Sequence, residues 1–257
     1  MLTHIDTGYE GKFDFPARPQ GPAVTYLLAS VPRAGSTYFS HLLWRTGCLG
    51  APLEYLNFEL GGPYGFAAAS PQLQLDLWQS VLRRRCSPNG VFGLKAFAPQ
   101  LDELQRKNAR LLEEVLATIL PGASRRVVYV RRRDRIAQVV SYARATLSGI
   151  WRKEQEGAGW PEIEYSDEAL EAADRGIAFQ EGVWNRMFDE LKIEPLTVCH
   201  EDALADGPAV ADAVAGYLGV SIDPTAAVQV PTVEKQSEGD AVAWAARYAI
   251  SRSPQLR

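Results

Sequence analysis

The sequence predicts an α/β fold with a mainly parallel central sheet flanked by helices. Three observations point there. Short apolar runs of strand length alternate along the chain with segments whose apolar residues recur at helical spacing. The first such run ends in a glycine-containing turn that opens directly into a helical pattern. Hydrophobic residues make up 46% and charged residues 23% of the 257 positions, enough apolar surface to offset the entropy of ordering a core.

Residues 1–22, rich in Gly, Pro and Gln, read as an N-terminal arm, and residues 23–257 as a single domain. The first strand covers Val24 to Val31, and after the turn a helix runs through Leu42, Leu43 and Trp44. A helical stretch around Leu73 to Leu82 precedes a second strand, Gly90 to Phe97. A helix from Leu111 to Leu120 then closes at Pro121-Gly122. The third strand, Arg126 to Arg131, feeds a helix from about Arg135 to Ser148. A long helix follows Ser166-Asp167-Glu168 and reaches about Lys192, with Ser166 as its cap and acidic residues in its first turn. The strand Pro195 to Cys199 and a helix around Ala209 to Leu218 complete the pattern. Between the helix that ends near Ser148 and the one that follows Ser166, the polar piece Trp151 to Tyr165 reads as a lid or an arm to a partner. Alternating strands and helices imply right-handed crossovers, whereas the strand order is not fixed by the pattern.

A formal net charge of -4 disfavours nucleic acid as a partner, so any bound anion has to be met by a local cluster of cations. Three arginine runs offer one: Arg83 to Arg85, Arg125 with Arg126, and Arg131 to Arg133. Cys48, Cys86 and Cys199 are widely spaced and read as buried thiols of a reducing compartment, and the three histidines form no metal pattern. The polar start lacks a secretory pattern, and no apolar run approaches the roughly 18 to 20 residues of a membrane span. A cytoplasmic protein without stable membrane insertion and without metal is the expectation.

The segment from Ser30 to Tyr38 carries the first chemical signal. A strand ending in a glycine turn that opens a helix aims free backbone N–H groups at whatever lies above, and the helix dipole favours negative charge there. Arg33 adds a cation, Ser36 and Thr37 add hydroxyls, and Gly35 allows close approach, with Ala34 between. A purely structural reading makes Ser36 the helix N-cap and Arg33 a surface side chain. The Walker and Rossmann glycine patterns are both absent. A second anion site follows the third strand, where Arg131-Arg132-Arg133-Asp134 meets a helix carrying Ser141 two turns further on. A solvated basic edge is the plain alternative there.

These residues resemble the Stf0 branch of the sulfotransferase superfamily. The likeness runs from Arg33-Ala34-Gly35-Ser36-Thr37 through Gly47 to Tyr55, Asn89 to Lys95, Arg132-Arg133-Asp134 with Gln138 and Ser141, and Trp151-Arg152 to Glu234-Lys235-Gln236. The resemblance implies a P-loop-like sulfotransferase fold and transfer of a sulfuryl group from 3′-phosphoadenosine 5′-phosphosulfate to a hydroxyl of a small-molecule or glycan acceptor. It places the 5′-phosphosulfate at Arg33 to Thr37, where Arg33 stabilises charge, and the 3′-phosphate at the arginine cluster with Ser141. Counting from the strand selects Arg132, whereas counting back eight residues from Ser141 selects Arg133. Glu54 takes the role of general base, Tyr55 and Lys95 lie on the acceptor side, and Lys235 with Gln236 form a loop over the nucleotide. Ala51 stands where the family often has a second acid, and Tyr55-Leu56 replaces a fully aromatic pair, two departures that touch the acceptor pocket. The resemblance also suggests a homodimer, through the Trp151 to Tyr165 segment.

Two other readings use the same features. A small-molecule kinase requires a P-loop lysine and a metal-binding acid, neither of which is in place. A nucleotide-binding module without catalysis requires that Glu54 be dispensable. Trp151 and Trp184 are candidates for stacking on a ring, although their helical setting favours a place in the core.

Overall fold

The structure, a computed structural model, describes residues 6–58, 65–158, 161–234, 236 and 239–252. Its centre is a four-stranded sheet of β1 (Val24–Ser30), β2 (Val91–Phe97), β3 (Val127–Arg131) and β4 (Leu196–Cys199). All three pairings are parallel, in the order β2-β1-β3-β4. β1 lies between two neighbours and is buried on both faces, which is why it is an almost unbroken apolar run.

Helices cover both faces. On one side α1 (Ser36–Arg45), α7 (His200–Ala205) and α8 (Gly207–Leu218) pack on Tyr26, Leu28, Val128 and Val130. On the other, Leu27, Ala29, Val127 and Tyr129 meet a larger layer. That layer holds α2 (Pro71–Arg84), α3 (Ala98–Lys107), α4 (Ala109–Ile119), α5 (Arg135–Ser148), α6 (Asp167–Leu191) and α9 (Ala241–Arg252). Side-chain caps start several of them: Ser70, Asn108, Asp134, Ser166 and Asp206 each accept a backbone N–H three residues on. Among the described residues no helix is long and apolar enough to cross a membrane.

β1 and β3 are adjacent, yet the helix after β1 lies on one face and the helix after β3 on the other. The chain therefore diverges above their carboxyl ends and leaves a crevice, the place where open α/β sheets bind ligands.

β2 is an edge strand, and the segment after α1 covers its free side. Leu53 forms a parallel bridge with Leu94, and the Lys95 N–H donates to the Leu53 carbonyl at 3.1 Å. Tyr26 Oη donates to the Leu49 carbonyl, and Asn89 Nδ2 and Ser87 Oγ both donate to that of Cys48. A side chain at Gly93 would collide with the Tyr26 ring and Pro52, so glycine is required for this close approach. The register of the bridge sets residue 54 beside residue 95.

Residues 6–22 are tied down by one buried cation. Arg85, 1% exposed, donates to the carbonyls of Gly8, Tyr9 and Glu10 and pairs with Asp14 at 2.9 Å. Phe15 sinks into the core beside it. Replacing Arg85 by Leu leaves three carbonyls and the Asp14 carboxylate without their donor. The expected cost is about 3 kcal/mol in urea unfolding. Limited proteolysis should then cut within residues 6–22 of the variant faster than in the wild type; equal stability and equal cutting would show that the arginine is not the anchor.

Candidate active site

The turn from Val31 to Gly35 closes β1 and opens α1. Its geometry is that of an anion cradle rather than of a side-chain cap. Gly35, not Ser36, is the N-cap residue; it stands at φ 78°, and no side chain caps the helix. The N–H groups of the first turn of α1 thus point at the crevice without a side-chain acceptor. Arg33 also adopts a left-handed conformation, φ 61°, which costs a non-glycine residue on the order of 1 to 3 kcal/mol. A methyl group at Gly35 would strike the ring of His200.

Neighbouring elements hold this strained turn from several directions. Gln138 of α5 donates to the Pro32 carbonyl at 2.8 Å, and Trp184 of α6 donates to that of Ser30 at 2.8 Å. Arg132 Nη1 reaches the Arg33 carbonyl at 3.4 Å. Trp184 is therefore a core residue with a structural hydrogen bond, whereas Trp151 is 44% exposed.

Arg33 is half-buried. Its Nε donates to Ser141 Oγ at 2.8 Å, its Nη1 to the Trp151 carbonyl at 2.9 Å, and its Nη2 to Gln236 Oε1. The structure thus brings Arg33, Ser141 and Gln236 to one point; Lys235 lies outside the described residues. Burial, then the nearby charges of Arg132 and Arg144, pull the Arg33 guanidinium down to about 10. It stays protonated at neutral pH. Three guanidinium groups crowded in one field favour a bound anion.

The structure separates the two arginines that the sequence left open. Arg132 lies against the turn, and its Nε is buried without a hydrogen-bond partner among the described residues. Arg133 is exposed and turns away, paired with both carboxylate oxygens of Asp202 at 2.7 and 2.8 Å. Alongside them, Arg131, Arg132, Arg133 and Arg135 line a cleft of about 370 Å³ together with Glu181, Thr197 and Cys199.

Glu54 comes from the segment that edges β2. One of its oxygens pairs with Lys95 Nζ at 2.8 Å, and the other accepts from Gln100 Nε2 at 3.1 Å. Lys95, 2% exposed, also donates to Thr37 Oγ1 at 3.1 Å, which links the carboxylate to the first turn of α1. The Glu54 N–H donates to Tyr9 Oη of the N-terminal segment at 3.2 Å. Burial would raise the Glu54 carboxyl, but Lys95, then Gln100 and Arg152, outweigh it and hold it below its ordinary 4.5.

Tyr55, expected on the acceptor side, is fully buried. Its hydroxyl donates to the Ala51 carbonyl and its ring stacks on Phe92 at 5.8 Å. Its side chain packs in the core against Phe92 and Tyr9. Gln100 and Tyr9 were not singled out in the sequence. A signal for Gln100 exists: it is the third residue of a helix that starts Ala98-Pro99, where Gln commonly folds back on the preceding N–H. Tyr9 left none, because its partner is 45 residues away.

An anion cradle and a held carboxylate, bridged by one lysine, form the layout of a group-transfer site, and the comparisons make the chain a sulfotransferase. The family model for Stf0 sulphotransferase matches residues 25–251, and the chain belongs to this family. It is 26% identical to trehalose 2-sulfotransferase of Mycobacterium tuberculosis (strain Erdman), over 90% of this chain and 96% of the relative. It is 24% identical to trehalose 2-sulfotransferase of Mycolicibacterium smegmatis, over 87% of this chain and 93% of the relative. The sulfotransferase domain of the Synechococcus PCC 7002 olefin synthase superimposes with a TM-score of 0.42 at 15% identity, over 91% of this chain and 98% of that domain.

The lowered Glu54 carboxyl fixes the sign of a stability effect. The contribution is complete above 4.5 and fades as pH falls through the lower folded value. In Lys95→Met burial dominates, the folded value rises above 4.5, and the variant loses stability as pH climbs through it. The expected loss at pH 7 is about 2 kcal/mol, discounted because 19% of the Glu54 side chain is exposed. Urea unfolding from pH 4 to 8 should show the gap between the two proteins widening with pH; a constant gap would place the lysine's role elsewhere.

Proposed function

We propose that this sulfotransferase uses 3′-phosphoadenosine 5′-phosphosulfate as donor and a carbohydrate hydroxyl as acceptor, with Glu54 as general base. The observation that carries the proposal is the Thr37–Lys95–Glu54 chain, which joins the anion-binding turn to a carboxylate through two hydrogen-bonded contacts of 3.1 and 2.8 Å. The site fits the donor's two charged ends. First-turn N–H groups of α1 with Ser36 and Thr37 suit the 5′-phosphosulfate, and Arg132 with Ser141 suits the 3′-phosphate. Arg33, between them, neutralises charge, and Gln236 steadies Arg33. Arg133, engaged by Asp202, takes the outer edge of the nucleotide site.

In the transfer, Glu54 accepts the proton of the acceptor hydroxyl while that oxygen bonds to sulfur and the bond from sulfur to the phosphate oxygen breaks. A carboxylate held below 4.5 is ionised at neutral pH, but it is a weak base. The proton therefore moves late, after the attacking oxygen has become acidic. Arg33 and the amino end of α1 stabilise the charge left on the phosphate, and positioning by the rigid turn supplies much of the remainder. In this reading Lys95 contacts the sulfuryl group or the acceptor, supported by its place between Thr37 and Glu54. The two relatives named above act on trehalose by name, so a disaccharide of that kind is the first acceptor to test. A homodimer in the cytoplasm belongs to the same proposal.

Thermal unfolding separates the donor class: adenosine 3′,5′-bisphosphate at about 100 times its Kd should stabilise by roughly 2.7 kcal/mol, and ATP with magnesium far less. Labelled sulfate transfer to trehalose and a glycan panel then tests the base, with Glu54→Gln expected to lose about 10² to 10⁴ in rate while binding the bisphosphate normally. An equal shift with ATP would point to a kinase. Undiminished transfer by Glu54→Gln would remove the base, and a nucleotide-selective shift with no transfer to any acceptor would favour a binding module.

A further inference from the structure

We infer that Gln100 is a positioning residue for the sulfuryl-transfer reaction, holding Glu54 in one orientation and in its ionised form. The inference rests on the reading of Glu54 as general base. It begins from the start of α3, where the Phe97 N–H has no intrahelical acceptor and finds Gln100 Oε1 at 3.0 Å. This is half of a capping box; phenylalanine has no side-chain acceptor with which to complete the other half.

That half-box decides the chemistry of the amide's other end. A backbone N–H can only be met by the oxygen, so the rotation of the side-chain amide is not free to invert. Nε2 is then forced toward Glu54, where it donates to Oε2 at 3.1 Å. The opposite oxygen, Oε1, belongs to Lys95. The carboxylate is gripped at both oxygens from two elements, the β2 strand and the α3 cap, and cannot rotate about its last bond without losing one of them. Lone pairs not used by these two donors remain for the acceptor proton.

The two donors do different work. Lys95 brings a charge that is shared with Thr37, whereas Gln100 brings a neutral N–H that stabilises the ionised form more than the protonated one. Arg152 adds a longer-range field from the segment whose Trp151 carbonyl is bound by Arg33. The titratable and charged groups acting on Glu54 are thus Lys95 and Arg152, and Gln100 is the neutral one that can be changed without removing a cation.

Gln100→Glu isolates this role. A glutamate at the third helical position still accepts the Phe97 N–H and is nearly the same size, so the helix start is kept. What is lost is the donor to Glu54, and what replaces it is a like charge. Glu54 then protonates at higher pH. The acidic limb of kcat/KM for sulfuryl transfer to trehalose should move upward by about one pH unit or more, so that kcat/KM measured at a pH below both limbs is reduced about tenfold or more. The Kd for adenosine 3′,5′-bisphosphate should stay within about twofold, and the midpoint of thermal unfolding should approach that of the wild type as pH falls below the shifted limb.

A second variant, Gln100→Met, removes the donor without adding a charge and should move the limb in the same direction by less. An acidic limb unmoved in both variants, in a protein whose Glu54→Gln form is inactive, would overturn the role of Gln100 and leave Glu54 as base. Activity retained by Glu54→Gln would instead overturn the base, and the inference with it.

Discussion

Arg33 sits half-buried in the fields of Arg132 and Arg144, and repulsion among these guanidinium groups has to be overcome before the fold can hold them together. Hydrogen bonds do this locally: Arg33 donates to Ser141, to the Trp151 carbonyl and to Gln236, while Arg132 reaches the Arg33 carbonyl. The contacts come from α5, the segment after it and the C-terminal loop. The positive charge therefore sits where four separate stretches of chain converge, above the divergence of β1 and β3. An exposed arginine run on one helix could not concentrate charge in this way, because salt and solvent would screen it.

The carboxylate half of the site rests on a different constraint. β2 is the outer strand, and the loop after α1 closes it through the Leu53 to Leu94 bridge. Once that register is set, Glu54 meets Lys95, and the turn that follows at Tyr55-Leu56 sends both of its side chains into the core. The glycines of the loop and of β2 serve this packing, since Gly50 lies against the backbone of Val91 to Gly93 and Gly93 lies against Tyr26. The long stretch from Gly47 to Tyr55 that resembles the family is thus mostly a device for docking one acidic side chain on a sheet edge.

The strands β1, β2 and β3 were the most readable feature of the sequence, because burial on both faces writes them as nearly continuous apolar runs. The helices with side-chain caps, α5 and α6 above all, were readable for the same local reason. α3 was not, since only Leu101 and Leu104 mark its inner face, and α7 has a mere six residues. α9 passed unnoticed although Trp244 and Tyr248, one turn apart, bury its inner face. At the site, residue types were readable and their directions were not. Ser36 looked like a cap, but a left-handed Gly35 took that place, and Arg133 is drawn to Asp202, a residue almost 70 positions away, while Arg132 stays against the turn. Such contacts leave no spacing in the sequence.

The proposed site sets an anion beside a carboxylate, and Lys95 answers the electrostatic problem that this raises. Two negative groups close together in a partly buried crevice repel by several kcal/mol at an effective dielectric near 20. Lys95 is 2% exposed and stands between them, with Nζ shared between Thr37 on the anion side and Glu54 on the other. A surface lysine would serve poorly, because water would spread its charge. A buried cation without a counter-charge is costly, and here the Glu54 carboxylate is that counter-charge while Lys95 holds the Glu54 carboxyl below 4.5. Each group is thus the condition for the other, so the pair has to be built as a unit. The arrangement also explains why a strained turn and an edge loop must lie so close: one ammonium nitrogen faces both only when each lies within a hydrogen bond of it, here 3.1 and 2.8 Å.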